Sequence, residues 1–320
     1  MKVLVCGLGS IGERHINNLL TIGYEDIVVY RKRNLPLRTL DREFLSFSSL
    51  KEALSTNPDV AFVCNPTHLH LSTALSCIDS GCHVFVEKPL SNSTNGLANL
   101  KVLAEQKSCK VMVGYMMRFH PCLQTIKKWI DAGVIGQIVY LRSQWGEYLP
   151  DWHPWEDYRT SYAASKTMGG GPGLTLSHEL DTMLWLAGEY TEAVAMKNYA
   201  SMLELETEHG IDLLIRFKTG ATGNLHMDYF QSPPARTLEV IGTEGRLQFD
   251  YFNSMLARYK LKGEEAEEIY DVSQTFDRND LFVNEIKYFL NAITSDSQVE
   301  PGIEEGIQVI HLLEEALRKT

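Results

Sequence analysis

Over the first 120 residues, short apolar runs alternate with segments whose apolar residues recur every three or four positions. The runs at 2–6, 26–30, 60–64, 83–86 and 110–114 are rich in Val, Ile and Phe and predict strands. Between several of them, 11–20, 71–80 and 98–106 have helical spacing, and 50–54 is a shorter stretch of the same kind. Strands separated by helices at this rhythm predict right-handed crossovers and a mostly parallel sheet. From about residue 135 the texture changes. Segments 136–143, 193–199, 210–217, 223–229, 236–241 and 246–250 read as strands joined by turn-rich stretches such as Lys218-Thr219-Gly220. Few helices intervene, so an open, largely antiparallel sheet is expected. Helices are predicted at 177–186, at 281–293 and at the C-terminus. The expected fold class is α/β. A doubly wound parallel-sheet domain over 1–120 precedes an α+β domain over 121–320, the site of substrate binding and oligomerisation.

Composition narrows the function classes. A chain of 320 residues with 44% hydrophobic and 22% charged residues has enough apolar surface for two cores. Its formal net charge of -11 argues against a nucleic-acid partner, which needs a basic field. No stretch reaches the roughly 18 uninterrupted apolar residues of a membrane span, and the opening run at 2–6 is too short for a signal peptide. None of the six cysteines forms a Cys-x-x-Cys pair, so no metal site is expected. Cys6 and Cys64 sit among apolar residues, as buried thiols of a reducing cytoplasmic compartment do.

Chemistry enters at Gly7-Leu8-Gly9-Ser10-Ile11-Gly12, a G-x-G-x-x-G directly after the first strand and before a helical pattern. The first glycine permits a tight turn, the second lets the backbone approach a pyrophosphate, and the third allows close helix packing. Arg14 joins Ser10 and Ile11 as a candidate cofactor contact. In an NAD-binding Rossmann unit an acid at the end of the second strand usually holds the ribose. Here that strand runs into Arg31-Lys32-Arg33 instead. A guanidinium pairs bidentately with a 2′-phosphate, so NADP is expected and NAD is the alternative.

Further on stand Cys64-Asn65-Pro66-Thr67-His68-Leu69-His70 and His83-Val84-Phe85-Val86-Glu87-Lys88-Pro89-Leu90. With the glycine loop, these motifs resemble the Gfo/Idh/MocA oxidoreductases, and the resemblance runs nearly end to end. Tyr115-Met116-Met117-Arg118-Phe119-His120-Pro121 is similar to the family's turn between domains. Gly169-Gly170-Gly171 and Ser177-His178-Glu179-Leu180-Asp181 are similar to its glycine-rich loop and histidine helix. The resemblance implies oxidation of a secondary alcohol, or reduction of the ketone, on a sugar, cyclitol or nucleotide-activated sugar. Lys88 and His178 map onto the family's catalytic pair, and Pro89 onto a proline after a cis bond. Asn65, Pro66, Thr67, His70, Glu87, Lys88 and Arg118 are the further cofactor contacts it implies.

Two positions depart from the family pattern. An Asp is usual three or four residues before the histidine, where this chain has Thr175 and Leu174. The expected Asn of the Tyr-x-x-Arg turn is Met116. Both point to an atypical substrate or catalytic partition, with loss of activity as an alternative. The segment Tyr148 to Arg159 is dense in aromatics and prolines. Aromatic faces stack on sugar C–H surfaces, so Trp152, His153 and Tyr158 are candidate substrate contacts, with Lys88, Arg118, Arg159, Lys166, Thr175 and His178. The run resembles members of surface-polysaccharide and sialic-acid-type pathways. A redox-neutral epimerase or lyase with tightly held cofactor, and a non-catalytic sensor, remain as competing readings. The expected partners are a small sugar-like substrate and copies of this chain, as a homodimer or homotetramer through the C-terminal sheet. Neither a nucleic acid nor a membrane is expected.

Overall fold

Continuous apolar runs need cover on both faces, and a parallel sheet flanked by helices supplies it. Val3, Leu4, Val5, Cys6 and Val60 to Val63 are all fully buried. They form the centre of a six-stranded parallel sheet in the computed structural model, which describes residues 1–33 and 36–319. Its strands are β1 (Val3–Cys6), β2 (Ile27–Tyr30), β3 (Leu45–Phe47), β4 (Val60–Val63), β5 (His83–Val86) and β6 (Val111–Val113), in the order β3-β2-β1-β4-β5-β6. The helices α1 (Ser10–Thr21), α2 (Leu50–Leu54), α3 (His70–Asp79) and α4 (Leu97–Gln106) connect them. Strand order reverses between β1 and β4. In open α/β sheets that switch point is where ligands bind, outside the carboxyl ends of the strands. The loop after β1 carries Gly7 and the loop after β4 carries Asn65.

The second sheet has eight strands: β7 (Ile138–Gly146), β8 (Tyr190–Asn198), β9 (Gly210–Phe217), β10 (Thr222–Asp228), β11 (Ala235–Gly242), β12 (Gly245–Asp250), β13 (Met255–Lys260) and β14 (Glu268–Asp271). They run β14-β13-β12-β11-β7-β10-β9-β8, antiparallel except for the parallel pair β7 and β10. In β9, Ile211, Leu213 and Ile215 are buried while Asp212, Leu214 and Arg216 are exposed. That period of two marks a sheet with one covered face. The same unit holds α5 (Pro121–Asp131), α6 (Pro172–Thr175) and α7 (His178–Ala187).

The chain divides into two units, Met1–Tyr115 with Asn279–Ile307, and Met116–Arg278 with the residues from Gln308 onward. The first boundary falls within five residues of the expected one at 120. The second departs from expectation, because sequence order placed everything after 120 in the C-terminal domain. Helix α8 (Arg278–Thr294) instead buries Ile286, Phe289 and Leu290 in the first unit. The Phe289 ring lies 5.9 Å from Phe85 and 6.5 Å from Phe62, on the parallel sheet. The last helix, α9 (Ile303–Arg318), begins in one unit and ends in the other. Strands β3, β13 and β14 and helix α5 were not expected from the apolar pattern.

Candidate active site

In the first unit the three glycines differ as their spacing requires. Gly7 has φ +101°, and a Cβ there would stand 2.7 Å from the Asn65 nitrogen. At Gly12 a Cβ would meet the Gly7 carbonyl oxygen at 2.1 Å, so α1 can lie this close to the turn only with glycine. A Cβ on Gly9 would meet nothing within 4 Å. Gly9 is also the N-cap of α1, with no side chain capping the helix start. An open backbone at an uncapped N-terminus suits a pyrophosphate, which draws on free N–H groups and the helix dipole. The residues present therefore fit a dinucleotide. Ser10 is exposed, Ile11 half-buried, and the Arg14 guanidinium lies 4.6 Å from the Phe282 ring centre. At the end of β2, Arg31 is half-buried, and Lys32 and Arg33 are exposed.

Beyond β4, the Asn65 amide donates to the Thr73 hydroxyl at 2.8 Å. Pro66 is half-buried and Thr67 buried in the turn that leads to His70. The His70 ring contacts the Asn65 carbonyl at 2.7 Å and the Pro89 carbonyl at 2.8 Å. It thus ties the loop after β4 to the one after β5, and burial pushes its pKa down. Glu87 is buried, with Oε1 2.6 Å from His15 Nε2 and Oε2 accepting the Lys88 backbone N–H at 3.2 Å. Burial alone would raise its pKa. The His15 hydrogen bond and charge, with help from Lys88, outweigh that and hold it below the ordinary carboxylate range. Lys88 is half-buried, directly beyond the carboxyl end of β5, and its bond to Pro89 is cis, as the resemblance implied.

In the second unit, Gly169 to Gly171 lead into α6, and a Cβ on Gly170 would fall 2.4 Å from the Ala163 carbonyl oxygen. Thr175 ends α6 and His178 opens α7, both almost fully buried. Two buried ion pairs anchor α7. Asp181 takes a bidentate grip from Arg118, Nε to Oδ2 at 2.9 Å and Nη2 to Oδ1 at 2.7 Å. Glu179 pairs with Arg236 at 2.5 Å, and the Arg236 guanidinium stacks 3.9 Å from the Trp145 ring. Burial raises the Glu179 pKa despite that partner. The His178 ring centre is 6.1 Å from that of Trp145. The histidine therefore starts a helix whose rotation is fixed by charge pairs on its first turn.

The remaining expected contacts spread over the segment between β7 and α6. Trp152 is half-buried, its ring edge-on to Tyr229 at 5.5 Å, and His153 beside it is half-buried. The Tyr158 hydroxyl accepts the Glu204 N–H at 3.3 Å. Arg159 is exposed and held by Asp157 at 2.7 Å and Glu204 at 2.9 Å, while Lys166 is exposed. The structure thus groups Arg118, Thr175 and His178 around α7 and leaves Arg159 and Lys166 at the surface. Sequence reasoning missed Glu285 and the pairing of His15 with Glu87. The available signal was a polar residue on an otherwise apolar helix face, which periodicity treats as noise.

A glycine loop at a switch point, followed by a lysine at a strand end, defines a nicotinamide-nucleotide-dependent oxidoreductase. Two family models agree, "Oxidoreductase family, NAD-binding Rossmann fold" over residues 1–115 and "GFO/IDH/MocA C-terminal domain" over 123–248. The chain belongs to the Gfo/Idh/MocA oxidoreductase family. It is 25% identical over 248 residues to 4-carboxy-2-hydroxymuconate-6-semialdehyde dehydrogenase of a Sphingobium species, covering 74% of this chain and 75% of that protein. It is 28% identical over 268 residues to myo-inositol 2-dehydrogenase of Thermotoga maritima, covering 77% and 74%. A third relative, 2,7-anhydro-N-acetylneuraminate hydratase of Escherichia coli, is 28% identical over 171 residues, covering 52% and 44%. Levoglucosan dehydrogenase, solved with NADH and levoglucosan, superposes with a TM-score of 0.86 at 18% identity, covering 100% of this chain and 96% of that one. This last likeness is one of fold.

Proposed function

We propose that this oxidoreductase interconverts a secondary alcohol and the matching ketone on a sugar, a cyclitol or a nucleotide-activated sugar, with Lys88 and His178 as its catalytic residues. The observation that carries the reading is Lys88 at the carboxyl end of β5, its peptide held by Glu87, in a chain whose family includes an inositol dehydrogenase. When bound, the nicotinamide supplies the hydride acceptor or donor. Oxidation also needs the hydroxyl proton removed as the carbonyl forms. His178 takes that proton, and returns it in the reducing direction. The Lys88 ammonium holds the hydroxyl and stabilises the negative charge that develops on its oxygen. Trp152, His153, Tyr158 and Thr175 are the proposed substrate contacts, with Arg159 and Lys166 at the rim. Arg118 serves the site by anchoring α7.

NADP(H) is the proposed cofactor, because Arg31, Lys32 and Arg33 follow β2 where an NAD enzyme usually has an acid. A redox-neutral reaction is the second reading. The hydratase among the relatives favours it, as does Thr175 in place of an ionisable Asp. The proposal is completed by a cytoplasmic location, in line with six free cysteines, and by a homodimer or homotetramer through the open sheet. Val194, Met196 and Leu214 are exposed there on neighbouring strands. Asp at both Met196 and Leu214 is expected to lower the sedimentation coefficient towards that of a monomer, and an unchanged value would exclude this face. Among the described residues no helix is long and apolar enough to cross a membrane.

The test of function is a turnover screen against sugars, cyclitols and nucleotide sugars, reading NADPH and NADH absorbance together with product. Substrate conversion with matching net change in NADPH is expected. Conversion without net change would establish the redox-neutral reading. A preference for NADH would refute the role given to Arg31 and Arg33.

A further inference from the structure

Behind Lys88, three titratable side chains meet away from solvent: His15 from α1, Glu87 from the end of β5 and Glu285 from α8. His15 and Glu285 are 0% exposed and Glu87 7%. Their facing nitrogen and oxygen atoms all lie within 4.8 Å of one another. Phe62, Phe85 and Phe282 surround the imidazole, with ring centres 5.4, 5.2 and 6.2 Å away. Neither Glu285 oxygen has a hydrogen-bond partner among the described residues, and neither has His15 Nδ1. The other titratable groups facing the cluster are the Cys64 thiol, Lys88 and His70. Among the described residues no cation is paired with Glu285.

Two occupants suit such a cluster, a metal ion or a proton. The 2.6 Å between His15 Nε2 and Glu87 Oε1 is a hydrogen-bond length. Two ligands of one ion, each ~2.0–2.2 Å from it in tetrahedral geometry, stand about 3.3–3.6 Å apart. The pair is therefore closed on itself by a proton. A second carboxylate this near an ionised Glu87, among aromatic rings, is disfavoured in its charged form, because the His15 ring beside it is already committed to Glu87.

We propose that His15, Glu87 and Glu285 form a buried proton-holding triad that positions Lys88, with Glu285 carrying its own proton. Glu87 spans the two functions: one oxygen binds His15, and the other accepts the Lys88 backbone N–H. With Glu285 neutral, Glu87 is the one ionised carboxylate behind the Lys88 peptide, and its charge favours the ammonium form of the lysine. Burial, and then the charge on Glu87, push the Glu285 carboxyl well above its ordinary range, in keeping with this assignment. These are positioning residues, and the idea rests on the catalytic reading of Lys88.

Two measurements test it. In kinetics, Glu87→Gln should lower kcat by about tenfold or more and move the Lys88 limb of the pH–rate profile to lower pH. Glu285→Ala should also slow turnover, and Glu285→Gln, which copies a neutral acid, should recover most of the loss. A wild-type pH profile in Glu87→Gln would overturn the positioning role. In stability, a carboxyl raised in the fold favours folding below its unfolded pKa of ~4.3 and loses that contribution as pH rises through the folded value. Glu285→Gln cannot ionise, so its melting temperature should climb relative to wild type as pH rises above the unfolded carboxyl value of ~4.3. A pH-independent difference, or one that moves the other way, would overturn the proton assignment. If Lys88→Ala turned over normally, only the catalytic reading would fall, because the stability difference is read without turnover.

Discussion

Gly9 separates binding from folding more cleanly than any other residue in the nucleotide loop. A side chain there meets no neighbour within 4 Å, and its φ of -90° is open to any residue. Gly9→Val should therefore keep the wild-type melting temperature while nearly abolishing NADPH binding, followed by nicotinamide fluorescence. Unchanged affinity would move the cofactor away from this loop. Gly12→Val is the contrasting case, since its Cβ would overlap the Gly7 carbonyl and the fold itself should weaken. Residues of this kind are legible in sequence because a local turn dictates them. Pairings at long separation are not. His15 and Glu87 stand 72 positions apart, and only the parallel sheet brings α1 beside the end of β5.

Among the elements, α7 matters most to the account, because it presents His178. Its first turn carries Glu179 and Asp181, each committed to an arginine from another segment. Arg118→Ala would strip the buried Asp181 carboxylate of its bidentate ion pair, at a cost of about 3–5 kcal/mol. Chemical denaturation should read that loss, and stability within about 0.5 kcal/mol of wild type would show the pair to be incidental. Element type was legible wherever the pattern was long. The strands β9 to β12 fall within one or two residues of their expected spans. Short edge strands were not legible: β3 has three residues and β14 is exposed along its length, so neither shows a periodic apolar face. The helix over 281–293 was found, but not its unit. Its apolar face fits either sheet, and sequence order favoured the wrong one.

For the whole molecule, two family models and the order of both sheets describe one architecture, a nucleotide unit and an α+β unit. On a chain of net charge -11, the proposed roles of Lys88 and of Arg31 to Arg33 are local ones. The central proposal is that Lys88 and His178 are the catalytic residues. Steady-state kinetics of Lys88→Ala and His178→Asn, with NADPH affinity measured alongside, tests it most directly. Each variant should lose roughly 10²–10⁴ in kcat while binding the cofactor almost as wild type. Wild-type turnover in either one would contradict the mechanism and leave the chain a nucleotide-binding fold with its chemistry elsewhere.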